Sequence, residues 1–463
     1  MRYVSTRGAA PTLGFDEAML TGLARDGGLY VPETVPTLSP DEIAALSGVS
    51  YEEAAYRVIR PFIGDSFTDD ELRGAIERAY ARFGHAARAP IVQLAPNHFL
   101  LELFHGPTLA FKDFAMQLIG QLFQIALARD GRRITIVGAT SGDTGSAAIE
   151  AFRGLPNVDV FILFPEGRVS DVQRRQMTTP DEDNVHALAI QGDFDDAQAR
   201  VKDMFNHFEF RDSVNLAGVN SINWARVLAQ VVYYFTSAVS LGAPHRPVSF
   251  TVPTGNFGDI YAGHVARRMG LPIDRLVIAT NQNDILHRCL TTGEYRPDGV
   301  KPSISPSMDI QVSSNFERAL FDAYGRDGKA VAQLMDELKR NGAFSVSQGA
   351  GEALREVFDS GRVSEDQTLA TIARIRRSTG QLVCPHTAVG IAVAELRHDP
   401  AVPMITLATA HPAKFPDAVE QATGERPALP DRMSDLFSRP ERVTSVPNDL
   451  SAIENLIQQR RRR

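Results

Sequence analysis

Cysteine is almost missing. Cys289 and Cys384 are the only two in 463 residues, too few for a disulfide framework in a chain this long, and no CxxC pair offers a zinc site. A reducing compartment fits. The eleven histidines show no HExxH spacing, so no metal site is expected. Long apolar runs are missing as well: the longest, Val227 to Leu241, is broken by Gln230 and falls short of a membrane span. Met1 to Phe15 has no apolar signal-peptide core, so a cytoplasmic protein with no membrane partner is expected. Net charge is −8, from 48 Lys and Arg against 56 Asp and Glu, a balance that repels polyanions. No nucleic-acid partner is expected, and the basic run Arg460 to Arg463 reads as a frayed, solvated helix end.

Lysine is scarce in a more telling way. Lys112, Lys202, Lys301, Lys329, Lys339 and Lys414 are the only lysines, against 42 arginines. Arginine serves wherever charge alone is needed, so a lysine kept in an apolar segment points to amine chemistry, which a guanidinium that never deprotonates cannot perform. Lys112 lies in Phe104-His-Gly-Pro-Thr-Leu-Ala-Phe-Lys-Asp-Phe114, between two phenylalanines. Burial lowers a lysine's pKa, and a neutral amine forms a Schiff base. The plainer reading is a surface lysine paired with Asp113.

With 43% apolar residues the chain can bury large cores, and its length suits about two to four domains. No internal period or low-complexity tract interrupts it. Residues 1–90 carry helical spacing, as in Asp41 to Leu46, Tyr51 to Ile63 and Asp69 to Phe83. Beyond them, β-branched runs alternate with helical ones: Arg133 to Val137, Val158 to Phe164, Val248 to Val252, Leu276 to Ala279 and Met404 to Leu407. Such strands are buried on both faces, so an α/β protein with parallel sheets is expected, with ligands at the strand-to-helix turns.

Three turns stand out. Val137-Gly-Ala-Thr-Ser-Gly-Asp-Thr-Gly-Ser146 sets the hydroxyls of Thr140, Ser141, Thr144 and Ser146 beside glycines, which suits a carboxylate or phosphate. Val252-Pro-Thr-Gly-Asn-Phe-Gly-Asp259 precedes a helix, where open N–H groups and the helix dipole favour an anion, though a structural turn reads the same way. The third is Leu407-Ala-Thr-Ala-His-Pro-Ala-Lys414. Asp143-Thr-Gly and Asp359-Ser-Gly361 together match an aspartic-protease signature, but that chemistry needs matching loops of an all-β fold. Asp359 follows a helical stretch for which Gly361 reads as the C-terminal cap. Cys384-Pro-His386 reads as a packed thiol rather than a nucleophile with its base. Asn223 and Arg226, opening the apolar helix after Asn220, are a cap and a solvated charge, or substrate ligands. A scarce lysine with two anion turns points to a pyridoxal-phosphate site, which needs one amine and one phosphate cradle.

Five segments, His105 to Asp113, Gly138 to Ser146, Asn220 to Arg226, Pro253 to Asp259 and Ala408 to Phe415, together with Tyr3-Val-Ser-Thr-Arg7 and Asp26 to Glu33, resemble threonine synthases in order along the chain. That resemblance implies a fold-type II pyridoxal-phosphate enzyme, similar to the tryptophan synthase β subunit, converting O-phospho-L-homoserine and water to L-threonine and phosphate. It implies Lys112 as the Schiff-base lysine, with Gly255, Asn256, Phe257, Gly258 and Asp259 as the cradle for the cofactor phosphate. Thr409 would meet the pyridine nitrogen, and Asp143 would lie near the 3-hydroxyl, where related enzymes place an asparagine. Thr140, Ser141, Thr144, Asn223 and Arg226 are the expected substrate contacts. The expected layout is a helical region 1–90, a large cofactor-binding α/β domain of 91–125 and 248–430, a smaller one of 126–247, and a helical tail 431–463, in a monomer or homodimer. The alternative is another fold-type II lyase such as a threonine dehydratase.

Overall fold

The computed structural model describes residues 1–462. The chain divides into two compact units: Met1–Asp69, His85–His105 and Ser221–Pro427 form the first, and Asp70–Gly84, Gly106–Asn220 and Ala428–Arg463 the second.

In the first unit, strands run in the order Phe358–Arg362, Ile273–Thr280, Val248–Pro253, Met404–Ala408, His98–Glu102, Ile91–Ala95. All neighbours are parallel except the last pair. The N-terminal region adds the expected helices Tyr51–Ile63, capped by Ser50, and Pro40–Ala44, capped by Ser39. It also adds an unforeseen antiparallel pair, Tyr3–Ser5 with Tyr30–Pro32. In the second unit, Thr444–Val446, Val185–Ile190, Val158–Pro165, Ile134–Ala139 and Leu216–Ala217 form a parallel sheet. Every residue of Val158–Pro165 is buried, as a strand covered on both faces requires. Phe161 and Leu163 enter a core with Ile190, Met204 and Ile453, each large side chain contributing roughly 1.5–3 kcal/mol. Among the described residues, no helix is long and apolar enough to cross a membrane.

Several expectations are corrected. Residues 106–125 lie in the second unit, because helix Lys112–Asp130 packs on helix Asp143–Phe152. Residues 221–247 lie in the first, where helix Trp224–Ser240 packs on Gly258–Arg268 and Tyr51–Ile63. Residues 70–84 join the second unit, with Tyr80 donating to the Phe114 carbonyl at 3.1 Å. The segment 431–463 is more than a helical tail, since it supplies the strand Thr444–Val446. Gly361 caps no helix: the preceding helix ends at Val357, and Phe358–Arg362 is a strand. A Cβ on Gly361 would come within 2.6 Å of Val393 Cγ1, so glycine there admits the helix Pro385–Arg397 close to the sheet. The arginine run is not frayed either. Arg460 ends the helix Leu450–Arg460, and Arg462 donates to buried Asp159 at 2.8 Å; Arg463 lies outside the described residues.

Candidate active site

In the second unit, Lys112 is the first residue of helix Lys112–Asp130 and is 9% exposed. It is not a surface lysine, and the Asp113 side chain has a task of its own. That carboxylate accepts the Thr108 N–H at 2.8 Å and the Thr108 hydroxyl at 2.7 Å, closing the turn before the helix. The Lys112 Nζ lies 3.2 Å from Asp143 Oδ2 and 5.1 Å from the centroid of the Phe111 ring. Asp143 is itself oriented by Gln173, whose amide donates to Oδ1 at 2.9 Å. No sequence signal singled out Gln173. Its place is fixed by Gly142, whose φ of 134° favours glycine and where any Cβ would overlap the Gln173 side chain.

The hydroxyls of this turn divide by role. Thr140 Oγ1 accepts the N–H groups of Gly142 and Gly145, each at 2.9 Å, and Thr140 is buried. It braces the turn. Ser146 points its hydroxyl back to the carbonyls of Gly142 and Asp143. Ser141 and Thr144 are half-buried and are the two side chains of the group best suited to meet a small polar ligand.

In the first unit, strand Val248–Pro253 runs through the loop into helix Gly258–Arg268. Phe257 takes the left-handed conformation, φ 65°, held by edge contacts with Phe316 and Phe358. Among the described residues, no acceptor meets the backbone N–H of Gly255, Asn256, Phe257 or Gly258, and no side chain caps the helix. Open N–H groups at a helix N-terminus suit a phosphate, which is what pyridoxal phosphate requires of a cradle. The Asp259 side chain anchors the loop instead, its Oδ1 accepting the hydroxyls of Tyr233 at 2.6 Å and Tyr234 at 3.0 Å.

Thr409 directly follows strand Met404–Ala408 and is 5% exposed. Lys414, in the short turn Pro412–Lys414, is wholly buried, a second lysine that scarcity and burial mark out. Asn223 is a cap. Its Oδ1 accepts the Ala225 N–H at 3.0 Å and its Nδ2 donates to the Met19 carbonyl at 2.7 Å. Arg226 is not a solvated charge: it is 4% exposed, and burial pushes its guanidinium down to about 10, still cationic at neutral pH. Cys384 is a packed thiol that accepts the Thr387 N–H at 3.4 Å.

Three family models match the chain: threonine synthase N terminus over residues 2–80, pyridoxal-phosphate dependent enzyme over 84–337, and threonine synthase C-terminal over 387–457. The threonine synthase of Pseudomonas aeruginosa is 56% identical over 99% of this chain and 98% of its own length. The crystal structure of pyridoxal-phosphate-bound threonine synthase from Brucella melitensis is 56% identical, covers both chains completely and superposes with a TM-score of 0.98. That of the yeast threonine synthase is 41% identical, covers 99% and 98%, and has a TM-score of 0.94. Models of threonine synthases at both ends leave a dehydratase without support. The chain belongs to the threonine synthase family of pyridoxal-phosphate-dependent enzymes.

Proposed function

We propose that this enzyme converts O-phospho-L-homoserine and water to L-threonine and phosphate, with Lys112 as the residue that carries the cofactor and moves protons. The observation that carries this reading is a buried Lys112 amine held 3.2 Å from an oriented carboxylate, Asp143, in a chain with few lysines. The backbone N–H groups of Gly255 to Gly258 hold the cofactor phosphate, with Asp259 anchoring the loop through Tyr233 and Tyr234. Thr409 meets the ring nitrogen without a charge that would fix a proton there. Pyridoxal phosphate, when bound, supplies a sink for electrons released at the substrate's Cα.

Lys112, once its amine is free, takes the proton from Cα and manages those at Cβ. Phosphate leaves from Cγ as a proton is lost from Cβ, a proton is delivered to Cγ to make the methyl group, and water adds at Cβ with a proton returned to Cα. Asp143 keeps the Lys112 amine in place through these transfers. Arg226 stabilises the leaving dianion, with Ser141 and Thr144 as neutral donors. We further assign the enzyme to the cytoplasm, as a monomer or homodimer. Incubation with O-phospho-L-homoserine tests the reading: phosphate and threonine should appear together in equal amounts, and phosphate release accompanied by a keto acid would overturn it.

A further inference from the structure

The loop Gly255–Asp259 does not hold its own shape. Ser313 donates its hydroxyl to the Gly255 carbonyl at 2.7 Å, and the Asn315 N–H donates to the Asn256 carbonyl at 3.0 Å. The Asn315 side chain reaches further. Its Nδ2 donates to the Ser221 carbonyl at 3.1 Å and lies 3.3 Å from where a Cβ on Gly258 would be. Its Oδ1 accepts from Arg318 Nη1. Arg318 in turn donates through Nη2 to the carbonyls of Ile222, at 2.7 Å, and Tyr30, at 2.8 Å, and through Nε to Tyr30 at 3.2 Å.

Asn315 and Arg318 are both completely buried. Burying a guanidinium is costly unless its donors are satisfied, and carbonyls and an amide satisfy this one. A planar fork can reach Tyr30, Ile222 and Asn315 at once, which a point-charge ammonium cannot. The two residues thus join the cradle loop to Ser221 and Ile222, the residues that lead into Arg226. We propose that Asn315 and Arg318 are positioning residues that lock the loop Gly255–Asp259 and the segment Ser221–Arg226 into one register, so that a single buried link sets the geometry of both phosphate contacts. This rests on the reading that the loop takes the cofactor phosphate and Arg226 the substrate phosphate.

The test uses holoenzyme carrying Asn315→Ala or Arg318→Lys, the latter keeping the charge but not the fork. Each should weaken pyridoxal-phosphate affinity and raise the KM for O-phospho-L-homoserine about tenfold, as expected for losing one or two buried hydrogen bonds. The Kd for L-threonine, which has no phosphate, should move less than about threefold. In an Arg226→Ala background, Asn315→Ala should add no more than about twofold to the KM, because coupled residues are not additive. If Arg318→Lys does not fold, Asn315→Ala carries the test alone. Proportional losses for O-phospho-L-homoserine and threonine, no loss for either, or effects that simply multiply would overturn the proposal. Gly258→Asp separates the two layers: unchanged cofactor affinity in that variant overturns the reading of the loop itself, whereas a large loss there beside unaltered Asn315→Ala overturns only the link.

Discussion

The two glycine-rich turns are built on opposite plans. The turn at 138–146 braces itself, with Thr140 Oγ1 accepting two N–H groups of its own loop. The loop at 255–259 leaves the N–H groups of Gly255 to Gly258 open and is held from outside, by Ser313, Asn315, Tyr233 and Tyr234. Thr140 takes up two N–H groups of the first turn, which adds side chains such as Asp143 to what it presents. A loop supported from outside offers backbone, and its side chains are turned to anchoring.

The largest effect follows from the side-chain half of that contrast. Lys112→Ala should lower turnover by about a thousandfold or more, the scale of losing a positioned acid-base group. Borohydride reduction of the wild type followed by peptide mapping should place the pyridoxyl label on Lys112. Lys414 is the control, because it is equally scarce and more deeply buried; label on Lys414 would detach the chemistry from the self-braced turn altogether.

Gly258→Asp attacks the backbone half. It sets a carboxylate at the open N–H groups, and roughly a hundredfold loss of cofactor affinity is expected in a titration of the apoenzyme, with Gly258→Ala much milder. Gly255 is the poorer probe, since a Cβ there would lie 2.7 Å from the Ser307 carbonyl and so disturb packing in any case. Arg226→Ala should come next, lowering kcat/KM for O-phospho-L-homoserine about ten- to a hundredfold while cofactor content stays near normal. Loss of cofactor in that variant would make Arg226 part of the outside support rather than a substrate contact.

What the sequence made readable follows the same division. Lys112, the hydroxyl turn and the Gly255–Asp259 loop are local patterns, each within about ten residues, and the β-branched strands declare themselves in the same way. The supports are not local. Gln173 reaches Asp143 across 30 residues, Asn315 reaches Ser221 across 94, and Arg318 reaches Tyr30 across 288. Nothing in Ser313-Ser-Asn-Phe-Glu-Arg318 distinguishes a brace from an ordinary helix start. The strand Phe358–Arg362 was hidden for a related reason: Phe-Asp-Ser-Gly-Arg has no strand pattern, and it is a strand because Leu276–Thr280 pairs with it. Arg462 could be taken for a solvated charge only until Asp159, 303 residues earlier, is placed beside it.

The smallest expected effect tests where support ends and chemistry begins. Asn223 sits three residues before Arg226, within the motif that resembles the family, and its side chain is wholly buried and occupied at both ends, by the Ala225 N–H and the Met19 carbonyl. Replacing a helix cap by alanine costs about 1 kcal/mol, so Asn223→Ala should lower the Tm by a few degrees. With Ser221 and Ile222 still tied by Asn315 and Arg318, Arg226 keeps its position, and kcat/KM should stay within about threefold of wild type. Thermal melts and steady-state kinetics on the same preparation decide the matter. A tenfold rise in KM with an unchanged Tm would make Asn223 a substrate ligand, and the segment tied to the anchored loop would then contribute a second side chain beside Arg226.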